Sequence, residues 1–281
     1  MSSRPTLARP RPLADLPPDL ARRVHGVFTD IDDTLTCDGA ITPDALAALQ
    51  RLHDAGVPVI AITGRPMGWS EPFARAWPVA AIVAENGAVA LLHDAAHGGG
   101  HGEGQVRIEY AQDEPTRARN TQRLAAVAQH VLREVEGSTL ARDSAGRVTD
   151  IAIDHAEFTQ LPPQQIAKVV ELMRTSGMNA TVSSIHINGW FGTHDKLSGA
   201  RWMVQRLYGR ALDAELERWA YVGDSTNDQQ MFGHFPLSIG VANLLDFAAQ
   251  LTTWPGYLAR HARGRGFAEV ADALLAARER T

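Results

Sequence analysis

The sequence predicts an α/β protein: a Rossmann-like, doubly wound parallel sheet core with an inserted α+β cap domain. Three observations carry this reading. Four short runs rich in Val and Ile end in polar residues, helical patterns lie between them, and alternating segments interrupt the rhythm from about Leu92 to Trp190. Short apolar runs bounded by turn residues read as strands buried on both faces. Strands alternating with helices read as a parallel sheet.

The first run, Val24 to Thr29, leads into Asp30. Val57 to Ile62 leads into Thr63-Gly64-Arg65, Ala80 to Ala84 into Glu85-Asn86-Gly87, and Trp219 to Val222 into Gly223-Asp224. In open α/β sheets the loops leaving the carboxyl ends of strands converge on the ligand crevice, so these polar residues are placed for chemistry. Thr42 is a helix cap with Pro43 in the first turn, Leu46, Leu49 and Leu52 mark one face, and Gly56 stops the helix. Further helices are expected over Leu197 to Tyr208, from Thr226, and over Phe267 to Ala277.

The interrupting stretch opens with a Gly/His loop, Ala96 to Gly104, followed by alternating segments at Val106 to Tyr110, Val148 to His155 and Thr181 to Phe191. Helical patterns over Thr116 to Val135 and Pro163 to Arg174 separate them. Alternation implies a sheet with one apolar and one polar face. Ile151, Ile153, Ile185 and Ile187 take the apolar side. Ser184, His186 and Asn188 take the other, a face open either to a ligand or to water. The expected organisation is a flexible leader at 1–23, a core at 24–91 and 192–281, and a cap at 92–191.

Composition narrows the partners. The chain has 281 residues, 44% hydrophobic and 21% charged, with a net charge of −5. That charge argues against nucleic acid, whose binding calls for concentrated Lys and Arg. No apolar run approaches the roughly 20 residues a membrane helix needs, and the Pro- and Arg-rich start lacks the apolar core of a secretory signal. One cysteine, Cys37, rules out an internal disulfide and fits a reducing compartment. The expectation is a cytoplasmic protein. Cys37 is expected to pack rather than react, and His97 and His101 lack a carboxylate or thiol partner for metal. The oligomeric state is not legible.

Asp30-Ile31-Asp32-Asp33-Thr34 sets two carboxylates in one loop. Close anions require a cation, a proton, or both. Magnesium suits such a site because it takes oxygen ligands and shares coordination with phosphate. Alone, the segment reads more often as an Asx-turn or helix cap. Three further signals shift the reading: Thr63-Gly64-Arg65-Pro66, where a hydroxyl and backbone N–H groups can hold phosphate oxygens; Lys196 at a helix start; and Gly223-Asp224-Ser225-Thr226-Asn227-Asp228, which adds two carboxylates.

In this set and order the chain resembles the haloacid dehalogenase superfamily of phosphatases, subclass IIB. Asp30-x-Asp32-x-Thr34 is similar to its first motif, Thr63-Gly64-Arg65 to its second, Lys196 to its third and Gly223 to Asp228 to its fourth. Glu85-Asn86-Gly87-Ala88 is similar to the turn of members with a C2B-type cap. The resemblance implies Asp30 as nucleophile and Asp32 as general acid/base. It implies magnesium held by Asp30, the Asp32 carbonyl and Asp224, with Asp228 in support. It assigns phosphate to Thr63, Gly64, Arg65, Lys196 and Asn227. Asn86, Ser184, His186, Asn188 and Trp190 are the expected specificity residues. The family often has Gly where Asp33 stands, and this carboxylate is expected to turn outward. The expected substrate is a small phosphate ester, a sugar or polyol phosphate. A phosphomutase and a non-catalytic sugar-phosphate-binding module are the competing readings.

Overall fold

The computed structural model describes residues 9–93 and 106–279. The expected Gly/His loop, with His97 and His101, lies outside the described residues. The chain divides into two compact units. Within the described residues, the first comprises 9–61, 78–80 and 204–279, and the second 62–77, 81–93 and 106–203.

The first unit is built on parallel strands in the order Arg11–Pro12, Tyr257–Leu258, Leu237–Gly240, Trp219–Gly223, Gly26–Thr29 and Val59–Ile62. The four longer ones are buried along their whole length, as parallel strands covered by helices must be. Helix Pro43–Asp54 starts as expected, with Ala45 N donating to Thr42 Oγ1 at 3.2 Å. Its buried face is Ala45, Ala48, Leu49 and Leu52, whereas Leu46 is exposed. Helix Arg263–Glu279 packs along it.

Two segments of this unit depart from the expectation. The proposed leader is not free over its described part. Arg11–Pro12 pairs with Tyr257–Leu258, Arg11 stacks on the Tyr257 ring at 4.4 Å, and Leu13 and Ala21 are buried. A few apolar residues at separated positions do this, which a search for a continuous apolar run passes over. After the Asp30 loop, strands Thr36–Cys37 and Ala40–Ile41 form a hairpin. Its turn residues Asp38 and Gly39 both have positive φ, the geometry that favours Asp-Gly. Cys37 lies in this hairpin and is half-buried, as a packing residue.

The second unit holds two antiparallel sheets. One runs Ala81–Ala84, Val89–His93, Val106–Tyr110. The other runs Asn179–Val182, His186–Trp190, Asp150–Asp154, Thr139–Leu140. Val106–Tyr110, expected in the cap sheet, therefore belongs with the strands that precede the Gly/His loop. Alternation shows that a strand has two unlike faces, not which sheet it joins. Helices Glu114–Glu134 and Pro163–Thr175 cover the second sheet. Leu124, Val127, Val131, Val169 and Met173 form one core with Ile153 and Ile187, the apolar sheet face predicted from the alternation.

Candidate active site

In the first unit, Asp30 follows strand Gly26–Thr29, and its N–H continues the ladder to Val222 O at 2.9 Å. The chain then turns tightly, with Thr34, Leu35 and Thr36 amides all donating to Ile31 O. Asp33 adopts φ 55°, a left-handed conformation natural to Gly and tolerated by Asp. Its carboxylate accepts from Arg263 Nε at 2.8 Å. Asp32 is buried, at 9% exposure.

Strand Trp219–Gly223 delivers Asp224 to the same place. Ser225 caps the short turn Thr226–Asp228 in a reciprocal capping box with Asp228. One Asp228 oxygen accepts from the amides of Asp224 at 2.9 Å and Ser225 at 3.2 Å, and the other accepts from Tyr221 Oη at 2.5 Å. Gly223 is required here, since a Cβ would lie 2.4 Å from Asp228 Oδ2. Asn227 is held by Ser225, whose hydroxyl donates to Asn227 Oδ1 at 3.0 Å.

Carboxylate oxygens of Asp30, Asp224 and Asp228 thus lie within 4.8 Å of one another, with the residues 4%, 0% and 0% exposed. At an effective dielectric of about 20, each pair repels by at least ~3 kcal/mol. Burial, and then these same three charges, push the Tyr221 hydroxyl well above its ordinary range, which keeps it a donor. A carboxylate cage of Asp30, Asp224 and Asp228 this close could hold a small hard cation.

The second unit carries the other predicted residues. Thr63 is fully buried, and its hydroxyl accepts from Arg65 N at 3.0 Å. Lys196 is 3% exposed at the start of helix Lys196–Tyr208. Asp195 fixes that start: Ser198 N donates to its carboxylate at 2.7 Å, while Asp195 N donates to Ser198 Oγ at 2.8 Å. The helix can approach the Glu85–Gly87 turn because both contacts are glycine. A Cβ on Gly87 (φ 105°) would lie 2.1 Å from Asp195 O, and one on Gly199 would lie 2.9 Å from Gly87 Cα.

Arg65, expected at phosphate, meets two carboxylates of the insert. It donates to Asp143 at 3.2 Å and Glu157 at 2.8 Å, and it lies over the Trp69 ring. Glu157 also meets His186 Nε2 at 2.8 Å. Burial alone would raise the Glu157 carboxyl; the donors His186 and Arg65 outweigh it and hold the group at about 2.

The polar face predicted for the insert is covered rather than open. His186 and Asn188 are each 2% exposed. Asn188 Nδ2 donates to Gly64 O at 3.1 Å and Asp150 Oδ2 at 3.0 Å. Arg147 donates to both Asp150 oxygens, to Asp143 and to Gly64 O. Burial raises the Asp150 carboxyl to about 6 against the pull of Arg147. Trp190 is buried, with its indole N–H on His194 O at 2.8 Å. Ser184 Oγ and Asn86 Nδ2 are buried without a hydrogen-bond partner, and Asn86 Nδ2 would lie 3.3 Å from a Cβ built on Gly64.

Sequence reasoning gave Glu85 no role beyond its place in the strand-end turn. Its buried carboxylate accepts from the amides of Met67, Val148 and Thr149 and from the Thr149 hydroxyl. It also passed over Asn243, whose amide donates to Asp224 Oδ2 at 3.2 Å.

The comparisons with known proteins fall on this frame. Residues 27–98 match the family of haloacid dehalogenase-like hydrolases. The chain resembles that family over this segment. It is 27% identical over 260 residues to a phosphoglycolate phosphatase of Methanothrix thermoacetophila, covering 90% of this chain and 98% of that protein. Among solved structures it resembles Thermoplasma acidophilum 0175, with a TM-score of 0.66 at 15% identity over 90% of this chain and 98% of the other. The sucrose-phosphatase of Synechocystis, solved with sucrose and phosphate, gives 0.61 at 17% identity over the same shares. Identities this low speak for the shared fold. Among the described residues, no helix is long and apolar enough to cross a membrane.

Proposed function

We propose that this protein is a haloacid dehalogenase-like hydrolase, a magnesium-dependent phosphatase of a small phosphorylated metabolite, a sugar or polyol phosphate, acting through an aspartyl-phosphate on Asp30. The observation that carries the reading is the convergence of Asp30, Asp224 and Asp228 in a buried cluster at the carboxyl ends of parallel strands. A folding function alone gives no reason to gather three repelling carboxylates there.

The chemistry follows from the side chains. An Asp30 carboxylate oxygen attacks phosphorus, and the bond from phosphorus to the leaving oxygen breaks. Asp32, in its protonated form, gives its proton to that oxygen. It then takes a proton from water, which attacks the phosphorus of the aspartyl-phosphate and releases Asp30 and inorganic phosphate. Asp30, Asp224 and the Asp32 carbonyl would hold magnesium, which supplies the positive charge that lets an anion approach an anion. The family resemblance assigns phosphate oxygens to Thr63, the Gly64 backbone, Asn227 and Lys196. Arg65 belongs to the same set, and its guanidinium also meets Asp143 and Glu157. Asn86 is the favoured leaving-group contact, because a buried amide without a partner calls for a hydrogen-bonding ligand.

The test is phosphate release from a panel of sugar, polyol and nucleotide phosphates together with phosphoglycolate, with magnesium or EDTA, beside Asp30→Asn. Release that needs magnesium and disappears in the variant is the expected result. Phosphate moved within a sugar, without release to water, would make the protein a phosphomutase. No turnover of any kind by folded protein would favour a binding module.

A further inference from the structure

Asn243 belongs to none of the four motifs, yet it touches two of them. It lies in the turn Ala242–Phe247, directly after strand Leu237–Gly240. Val241 N donates to Gly223 O at 3.0 Å, which fixes this turn beside the start of the Asp224 loop. The Asn243 side-chain amide donates to Asp33 O at 3.0 Å and to Asp224 Oδ2 at 3.2 Å. Its oxygen accepts from Arg263 N at 2.9 Å. That last contact settles which end of the amide is which, because a backbone N–H accepts nothing. Arg263 holds φ 54° at the start of helix Arg263–Glu279, and its Nε reaches back to Asp33 Oδ1 at 2.8 Å. Asn243, Arg263 and Asp33 thus close a ring whose open contact is Asp224.

We propose that Asn243 is a positioning residue for the cation cage. It holds Asp224 Oδ2 by a neutral donor, while Asp224 Oδ1 accepts from Thr34 Oγ1 at 3.5 Å. A neutral donor suits this place. A cationic one would cancel the charge the metal needs, whereas a hydrogen bond fixes a ligand's orientation without doing so. Through Asp33 O, Asn243 also ties the loop that carries Asp30 and Asp32 to the loop that carries Asp224. One side chain therefore bridges the two ligand-bearing loops, beyond the strand pairing that precedes them. The inference rests on the metal reading of the proposed function.

The test is magnesium binding by calorimetry on the purified full chain, with thermal unfolding in EDTA beside it. Asn243→Ala is expected to weaken magnesium about tenfold, within the range typical of lost partners to metal ligands. It should unfold in EDTA close to wild type, and raised magnesium should restore most of kcat. Arg263→Ala keeps the backbone donor to Asn243 and is expected to bind magnesium within twofold of wild type. Should Asn243→Ala not fold, Asn243→Ser carries the same readout, since its hydroxyl is too short to bridge both oxygens. A change of threefold or less at position 243, in protein whose wild type binds magnesium, overturns this inference alone. Wild type that binds no magnesium overturns the metal reading and this inference with it.

Discussion

Arg65 and Glu157 form a buried ion pair, Nη2 to Oε1 at 2.8 Å, with side-chain exposures of 5% and 18%. The pair joins the residue after the Thr63-Gly64 turn to a loop of the insert. Glu157→Gln removes one of the two carboxylates facing the Arg65 guanidinium, and a loss of about 1–3 kcal/mol in urea unfolding is expected. The sign with pH follows from a carboxyl held at about 2 rather than 4.5. Its stabilisation is complete above pH 4.5 and is lost as pH falls toward 2. The variant should lose less stability than wild type across that window; parallel curves would show that the pair does not govern the carboxyl.

Tyr221 donates to Asp228 in a fully buried setting. Tyr221→Phe leaves one carboxylate oxygen short of a donor, a loss on the order of 2 kcal/mol. The cage should also loosen, with magnesium several-fold weaker by calorimetry. A drop in stability with unchanged metal affinity would reduce the hydroxyl to a packing role.

Gly87 answers to a steric demand rather than an electrostatic one. An added Cβ meets Asp195 O at 2.1 Å, and φ is 105°. Gly87→Ala must push back the cap of the helix that Lys196 begins, so kcat on the best substrate should fall at least about tenfold, with about 1–3 kcal/mol of destabilisation. Wild-type turnover in this variant would mean that the Lys196 position tolerates displacement.

His194 is 7% exposed with neither ring nitrogen hydrogen-bonded, and burial pulls it down to about 4. The folded state therefore resists protonation where the unfolded chain accepts it. Stability is complete above pH 6.5 and declines toward pH 4, with a slope of up to about 1.4 kcal/mol per pH unit. Unfolding of His194→Phe across this range should show a shallower acid decline. Equal slopes would assign the decline to other groups, such as His155, which burial also lowers.

The strands bearing Asp30, Thr63, Glu85 and Asp224 were legible because strands buried along their whole length must be apolar throughout and must end where polar chemistry begins. Helix starts were legible through Thr42 and Pro43. What stayed hidden depends on pairings between distant residues. Nothing in Val106–Tyr110 says which sheet it joins, and nothing in His186 or Asn188 says that Glu157 and Gly64 wait opposite. Arg11–Pro12 is too short to carry a period at all. Two signals were present and unused: Asp38-Gly39, a hairpin dipeptide, and Ser225-x-x-Asp228, whose spacing is a capping box. Asn243 had no local signal, since its partners lie 19 and 210 residues away.

The contacts of Arg65 and Glu85 bear on how such a protein could be rebuilt. Both residues precede the insert in sequence, yet their charged groups are completed by Asp143, Glu157, Val148 and Thr149 within it. A chimaera that exchanged only the insert for that of a relative would take these partners from a guanidinium and a carboxylate that both stay on the retained side of the graft. The transplantable part is therefore larger than the inserted sequence, and its seam must run outside Arg65 and Glu85.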